Sequence, residues 1–565
     1  MAKVASVLLF LLLECAAICG TFYVATTGND SADGSIGTPW ASIQRSVKSY
    51  TFPLLFREPG DTVYIRGGLY IGTTNWIDIN GAGGATNGTS GNPITIAAYP
   101  GEAVIVANST NSYRGMLFKN LRWFTIDGIT FSNCYQSVWA ESVTNFVLKN
   151  CTFRSMPVPD ISGYAGVQIF GLSQFNTVSN CLFLDWGEIT SGCNDHGVSI
   201  SIGDESTDNP MYYNLIVSNR FISGGHDHFQ LNTAFNVIRG NLFVNAPWLP
   251  TNAACHQLPG PEANPYGAWG NRQTKPGDAG TTQIDMRNVF EGNRFFYTGP
   301  PPDDNGAFGI ELGTRQGIYR FNSIAYSLAA GIFFNTSGTT SRSTSNAVYG
   351  NVLYGNGLAN QYGGSGMQSF DFGLSMSTFE GRRTNNYIVN NVIWRNLPGN
   401  VENTILDYQQ WRTNYNFTNN AIDPLFVSTN GWGFAYDSNS LPDFRVTNST
   451  SPLVEAGTWL AYVTSATGSG TNMTVDNSHY FSDGNQIVAG DTIELQGHSG
   501  TAIVISNDYI NGVLTLDRSL SWNQGQGVSL PYSGSVPDIG IHEYQVVTNN
   551  TPRGPSIRGI RLSAQ

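Results

Sequence analysis

Nine short stretches decide the fold: VLKNCTF (147–153), TVSNCLF (177–183), IVSNRFI (216–222), VIRGNLF (237–243), VFEGNRF (289–295), IYRFNSI (318–324), VYGNVLY (348–354), IVNNVIW (388–394) and NFTNNAI (416–422). Each sets a Cys or Asn between apolar residues, three positions after one and two before the next. Aligned, they stack Cys151, Cys181, Asn219, Asn241, Asn293, Asn322, Asn351, Asn391 and Asn420 in one column, at intervals of 30, 38, 22, 52, 29, 29, 40 and 29 residues. A recurring period of β-rich pieces with Gly, Asn and Ser turns predicts a solenoid whose coils each contribute a few short strands, the longer intervals being loops inserted on a coil. Asn suits such a column because its amide donates to one neighbouring coil and accepts from another, about 4.8 Å along the axis, and tolerates left-handed backbone at a turn. Cys151 and Cys181 then fill the same inward slot as stacked core thiols, with a disulfide between neighbouring coils as the alternative.

The composition agrees with an all-β chain. Charged residues are 12% of the 565, while Gly (64) and aromatics (12%) are abundant, which excludes coiled coils, helical bundles and disordered chains. Lys+Arg of 28 against Asp+Glu of 40 gives a net charge of −12, and no stretch gathers basic residues into a phosphate-tracking stripe, so nucleic acid is excluded as a partner. Residues 1–20, MAKVASVLLFLLLECAAICG, read as a secretory signal, with a lipid anchor on Cys15 or Cys19 as the lesser reading. No later run is long and apolar enough to span a bilayer. The expectation is a secreted or extracellular monomer, with the periplasm and the cell surface as alternatives. The five remaining cysteines, Cys134, Cys151, Cys181, Cys193 and Cys255, form no C-x-x-C pair, which argues against structural zinc.

FYVATTGNDSADGSIGTPWASIQRSV, PGDTVYIRGGLY, NPITIAAYPGEAVI and WFTIDGITFSN resemble the cap and first coils of the pectin-lyase-like family of right-handed parallel β-helix proteins, and SPLVEAGT and PDIGIHEY resemble the closing segment of many such chains. The resemblance implies an all-β, right-handed parallel β-helix over 21–455. It implies a secreted carbohydrate-active protein without fixing the reaction, because this architecture hosts lyases, hydrolases, epimerases, esterases and adhesins. Residues 456–545 have a different rhythm: TNMTVDNSHYF, GDTIELQG, TAIVISNDY and GVLTLDRSL alternate apolar and polar residues around turns such as Asn511-Gly512. They predict a small antiparallel barrel or sandwich, either a sugar-binding module or a cap on the end of the solenoid, followed by a tail at 546–565. His479 and His498 in it are expected at the surface.

Chemistry on a solenoid follows from outward side chains that line up across coils into a groove for a linear polysaccharide. We align GVQIF (166–170), GVSIS (197–201), HFQLN (228–232), QIDMR (283–287), GIELG (309–313) and GIFFN (331–335). The outward column is then Gln168, Ser199, Gln230, Asp285, Glu311 and Phe333, flanked by His228 and Gln283 on one side and by Ser201, Asn232, Arg287 and Asn335 on the other. Asp285 and Glu311, one coil apart, could not both ionise freely, which is the acid plus base-or-nucleophile arrangement of glycoside hydrolysis. Their alternative is an acidic ladder that holds a cation or pairs with Arg287 and Arg315.

In CNDHGVSIS and GGHDHFQLN, His196 and Asp227 fall at matching places one coil apart and could move a proton near pH 7, hydrogen-bond a substrate or ligate a metal, though the spacing fits no established zinc pattern. A lyase needs cations to neutralise a uronate carboxylate and a base to take the C5 proton. Arg287, Arg315 and Arg320 are candidates for the first, His228 or Lys275 for the second. Lys275 falls in the longest insertion, with Trp248, His256, Tyr266, Trp269 and Arg272, where Trp269 could stack on a sugar ring and Arg272 clamp a carboxylate. Asp303 and Asp304 sit in a second insertion beside the same face. The acidic balance disfavours a polyanionic substrate unless Ca²⁺ or this Arg cluster intervenes, so Ca²⁺ is the candidate cofactor. Three readings follow: a polysaccharide lyase acting by β-elimination on a uronate-containing polymer, placed first; a glycoside hydrolase using Asp285 and Glu311; and a non-catalytic glycan-binding protein.

Overall fold

The structure, a computed structural model, describes residues 19–47, 58–72, 77–80, 87–107, 114–134, 136–154, 165–186, 198–202, 212–224, 227–231, 233–244, 287–297, 308–312, 314–327, 329–334, 343–358, 372–376, 385–402, 410–412, 415–429 and 441–544. Three parallel sheets run the length of a β-helix. Sheet A has 13 strands and sheet B 11; sheet C is described as a run of 6 strands and a later run of 4 on further coils. The strands are three to six residues long in most coils, because each spans one flat side before the chain must turn. Alternation puts every second residue inside, so Val138, Val167, Ile200 and Phe229 of sheet C form one inward column, and Ala140, Ile169, Ile202 and Leu231 the next, all at 0–1% exposure. In sheet B, Phe131, Phe153, Phe183, Phe221, Phe243 and Phe295 stack ring on ring, with centroids 4.5–5.1 Å apart.

The corners explain the asparagines. Between sheets A and B the chain takes one left-handed residue (Asn150, Asn180, Ser218, Gly240, Gly292, Phe321, Gly350, Asn390) and then the buried column residue. The left-handed conformation therefore belongs to the residue before the column, not to the column Asn. In the column, Asn219, Asn241, Asn293, Asn322, Asn351 and Asn391 each donate Nδ2 to the Oδ1 of the next at 3.0 Å, and the run ends on Asn416. Asn420, aligned there from the sequence, is instead exposed and accepts from Arg395 N and Asn400 Nδ2. Cys151 and Cys181 continue the column as buried thiols with no disulfide between them, and Cys134 is buried too, its Sγ donating to Val106 O at 3.7 Å and Ser132 O at 3.5 Å. Cys193 and Cys255 lie outside the described residues. Two further amide ladders fill the other corners: Asn176–Asn214–Asn236–Asn288 with Asn346–Asn386 beyond, and Asn356–Asn396–Asn400.

SPLVEAGT and PDIGIHEY bracket the C-terminal module and pair with each other, Ile539 N donating to Leu453 O and Gly457 N to Pro537 O at 2.9 Å each. Between them a 6-stranded sheet runs in the order Ala461–Tyr462, Gly527–Ser529, Thr492–Leu495, Thr501–Asp508, Val513–Trp522, Gly468–Thr474, antiparallel throughout, with Asn511-Gly512 in the predicted turn. Its described contacts lie along the flank of the solenoid. A second apolar core joins outward residues of sheets A and B (Val289, Ile318, Ala347, Val352) to Leu460, Tyr480, Phe481 and Ile539. Across it, Arg320, at 3% exposure, gives Nε to Glu291 Oε2 (2.8 Å), Nη1 to Tyr349 Oη (2.8 Å), and both terminal nitrogens to Asp491 (2.6 and 2.7 Å). His498 is at the surface beside Glu494, but His479 is packed between Tyr387 and Tyr509.

Candidate functional site

Sheet C presents the face on which the aligned strands were expected. Its described strands include Gln136–Glu141, Ala165–Phe170, Val198–Ile202, Asp227–Leu231, Ile310–Leu312, Ile332–Phe334 and Phe372–Met376. The register corrects one expectation. Gln168 pairs with Ser201, which pairs with Gln230, so the outward row holds Ser201 and not Ser199. GVSIS is displaced by two residues, which keeps its inward and outward sets intact. The row begins earlier than the alignment did. Trp139, the partner of Gln168, sits edge-on to Phe170 at 4.6 Å, Gln136 Nε2 donates to Gln168 Oε1 at 3.3 Å, and Lys119 pairs with Glu141 at 2.6 Å. The alternating QSVWAE stretch carried that information.

Among the residues proposed for catalysis, the structure describes the side chains of Glu311, Arg287 and Arg315. Glu311 lies between Ile310 and Leu312, pairs with Phe333 across the sheet and is 3% exposed. Phe333 is itself covered by Phe308, the rings 4.2 Å apart. Arg287 departs from its expected place at the end of a groove strand. It is the left-handed corner residue (φ 55°), its Nε donating to Gln316 Oε1 at 3.1 Å and its guanidinium lying 5.6 Å from the ring of Phe235 and 4.4 Å from that of Tyr509 in the C-terminal module. Arg315 is one coil on, bridged to Thr344 and accepting the Arg287 N–H at its carbonyl, 3.0 Å. Arg320, also weighed as a groove cation, is committed to the buried cluster with Glu291 and Asp491. Asp227, His228 and Gln230 occupy strand Asp227–Leu231, where His228 and Gln230 alternate with the buried Phe229 and Leu231 and Asp227, the partner of Val198, shares the phase of Phe229. Asp285, Lys275, His196, Asn232, Trp269 and Arg272 lie outside the described residues, as do Trp248, His256, Tyr266, Asp303 and Asp304. Among the described residues, no three His, Cys, Asp or Glu side chains gather where they could hold a metal ion.

Residues 22–246 match a family model described as Pel9A-like, right handed beta helix region. The matched region takes in the strands at 165–170, 198–202 and 227–231 and stops short of Arg287, Glu311 and Arg315. Pectate lyase PEL9 of Emericella nidulans is 30% identical over 194 residues, which cover 32% of this chain and 42% of that protein. The chain thus spans about two fifths of that relative's length. Among solved structures, pectate lyase Pel9A is similar with a TM-score of 0.41 and 15% identity, covering 78% of this chain and 92% of that one. A rhamnogalacturonan lyase gives 0.41 and 14%, covering 72% and 91%.

Proposed function

We propose that the protein is a secreted polysaccharide lyase that binds a linear uronate-containing glycan along the sheet C face and cleaves it by β-elimination. The observation that carries this reading is the Pel9A-like match over residues 22–246 together with a 30% identical relative named as a pectate lyase, which makes pectate the first substrate to try. In such a reaction a base removes the proton at C5, cationic groups neutralise the neighbouring carboxylate as charge builds, and the C4–O bond breaks to leave a 4,5-unsaturated uronate. We assign the base to His228 or Lys275 and the neutralising charge to Arg287 and Arg315. Hydrogen bonding to the glycan falls to Gln230, His196, Asp227 and Asn232, and Trp269 and Arg272 contact the sugar from the long insertion. The alternative hydrolase would need Glu311 and Asp285 to meet solvent, and Glu311 at 3% exposure disfavours it.

Polygalacturonate incubated with the protein, with Ca²⁺ or with chelator, tests the reading when the ultraviolet absorbance of unsaturated ends and the appearance of reducing ends are followed together. Both should rise in step. Reducing ends without absorbance mean hydrolysis, and binding with neither signal means a glycan-binding protein. His228→Ala and Lys275→Ala then separate the two base assignments by which one abolishes turnover while leaving binding.

A further inference from the structure

At the corner between sheets C and A, each coil places one residue in the left-handed region just ahead of the column of Asn176, Asn214, Asn236 and Asn288. Toward the C-terminal end that residue is polar (Gln316, Ser345 and Asn385); toward the N-terminal end it is Asn145 and, one coil earlier, the half-buried Trp123 (φ 56°), an aromatic that Asn145 separates from the run. In the four consecutive coils between, it is Phe175, Tyr213, Phe235 and Arg287, with φ of 55°, 66°, 58° and 55°. Left-handed backbone is costly for a bulky L residue, a cost that Asn and Gly largely avoid. Elsewhere in the fold Tyr297, Phe321 and Tyr326 adopt it too, but at 4%, 2% and 4% exposure they are core residues and their packing accounts for them. The corner row is half-buried. Burial explains it less well.

The row is ordered. Phe175 stacks on Tyr213 (4.9 Å, 14°), Tyr213 leans on Phe235 (5.5 Å), Tyr212 stands edge-on to both Tyr213 and Phe235 (5.7 and 5.4 Å), and the Arg287 guanidinium closes the series between Phe235 and Tyr509. Rings that spend their faces on one another leave their edges to the surroundings, and the edge is the positive end of the aromatic quadrupole. Among the described residues, the Arg287 guanidinium makes one hydrogen bond, to Gln316. On a chain of net charge −12, this stripe carries ring edges at a repeat of about 4.8 Å per coil and one guanidinium, with no carboxylate of its own.

We infer that the corner row is a rail for an acidic polysaccharide, a polyuronate lying parallel to the solenoid axis beside sheet C, its carboxylates against the ring edges and the Arg287 guanidinium. This rests on the proposed substrate class and adds a binding element to it. The decisive variant replaces the aromatics by the residue the backbone prefers, Phe175→Asn/Tyr213→Asn/Phe235→Asn. Its melting temperature should stay level or rise, while its retardation in polygalacturonate gels, with neutral galactan as control, weakens about fivefold and KM for the polymer rises by the same factor. A lower melting temperature with unchanged retardation would make the row a purely structural stack and overturn the inference. If the triple variant fails to fold, Tyr213→Asn alone is read the same way. Wild-type protein that cleaves polygalacturonate, with a variant that binds it equally well, sinks the rail and leaves the lyase standing; wild-type protein that neither binds nor cleaves it sinks both.

Discussion

Asn241 satisfies four hydrogen bonds with one side chain. Its Oδ1 receives Asn219 N and Nδ2 (2.9 and 3.0 Å), and its Nδ2 gives to Ile216 O and Asn293 Oδ1 (2.9 and 3.0 Å). Asn241→Ala leaves buried donors and a carbonyl without partners and should cost about 2–4 kcal/mol in urea unfolding. Asn416→Ala should be costly too, because Asn416 closes the ladder, whereas Asn420→Ala at the surface should change stability by less than about 1 kcal/mol. The sequence placed the column correctly wherever Asn stood alone, but NFTNNAI offers three asparagines within five residues, and an irregular period cannot choose among them. Arg320 shows a different limit: an arginine on a strand looks the same whether its partner is a substrate carboxylate or an aspartate 171 residues away. Arg320→Met takes from Asp491 its guanidinium partner and leaves the buried Glu291 with Arg239 alone, and should cost about 3–5 kcal/mol, seen as a lower melting temperature. Burial would push the Glu291 carboxyl up, yet the Arg320 and Arg239 charges outweigh it and hold it below its ordinary value. Its contribution is therefore present above the unfolded value, about 4.5, and is lost as pH falls through the lower folded one; Glu291→Gln should reduce that acid sensitivity of the melting temperature.

Among the elements, sheet B is held by its phenylalanine stack. Phe221 lies 4.6 Å from both Phe183 and Phe243, so Phe221→Ala removes contacts on two coils at once and should cost about 3–5 kcal/mol by chemical denaturation, with Phe221→Leu costing less. Strand sidedness was legible because apolar residues alternate at period two. Register was not, because Val198-Ser199-Ile200-Ser201-Ile202 presents the same pattern after a shift of two residues, and only the neighbouring coils choose between the alternatives. The candidate site was read from strands starting at Gly166, so Trp139, Lys119 and Glu141 on the same sheet were passed over. Two of the three amide ladders escaped notice for a related reason: the asparagines of one directly precede the sheet A strands, as Asn176 precedes Thr177–Ser179, and those of the other come after sheet B strands, as Asn356 follows Val352–Tyr354, outside the flanking pattern of the quoted repeats.

At the scale of the whole molecule, the C-terminal module is joined to the solenoid through groups that titrate. His479 of the module packs on Tyr387 of the solenoid, and burial first, then the Arg287 charge, lowers its pKa from 6.5 to about 4. The unfolded chain binds that proton near 6.5 and the folded protein does not, so this contribution is intact above that pH and declines progressively down to about 4. His479→Asn should flatten the melting temperature against pH across that interval, with the largest difference at its acidic end. The corner columns also change chemistry along the axis. Early coils fill them with Leu121, Ile129, Val143, Cys151 and Cys181, later coils with amides. Apolar contacts draw on the solvent and weaken on cooling, whereas a chain of amide hydrogen bonds draws on enthalpy. One continuous solenoid is thus built from two materials with opposite thermal responses: chilling should relax the coils nearest the N-terminus first, and the amide-bonded coils should set how the molecule behaves when it is warmed.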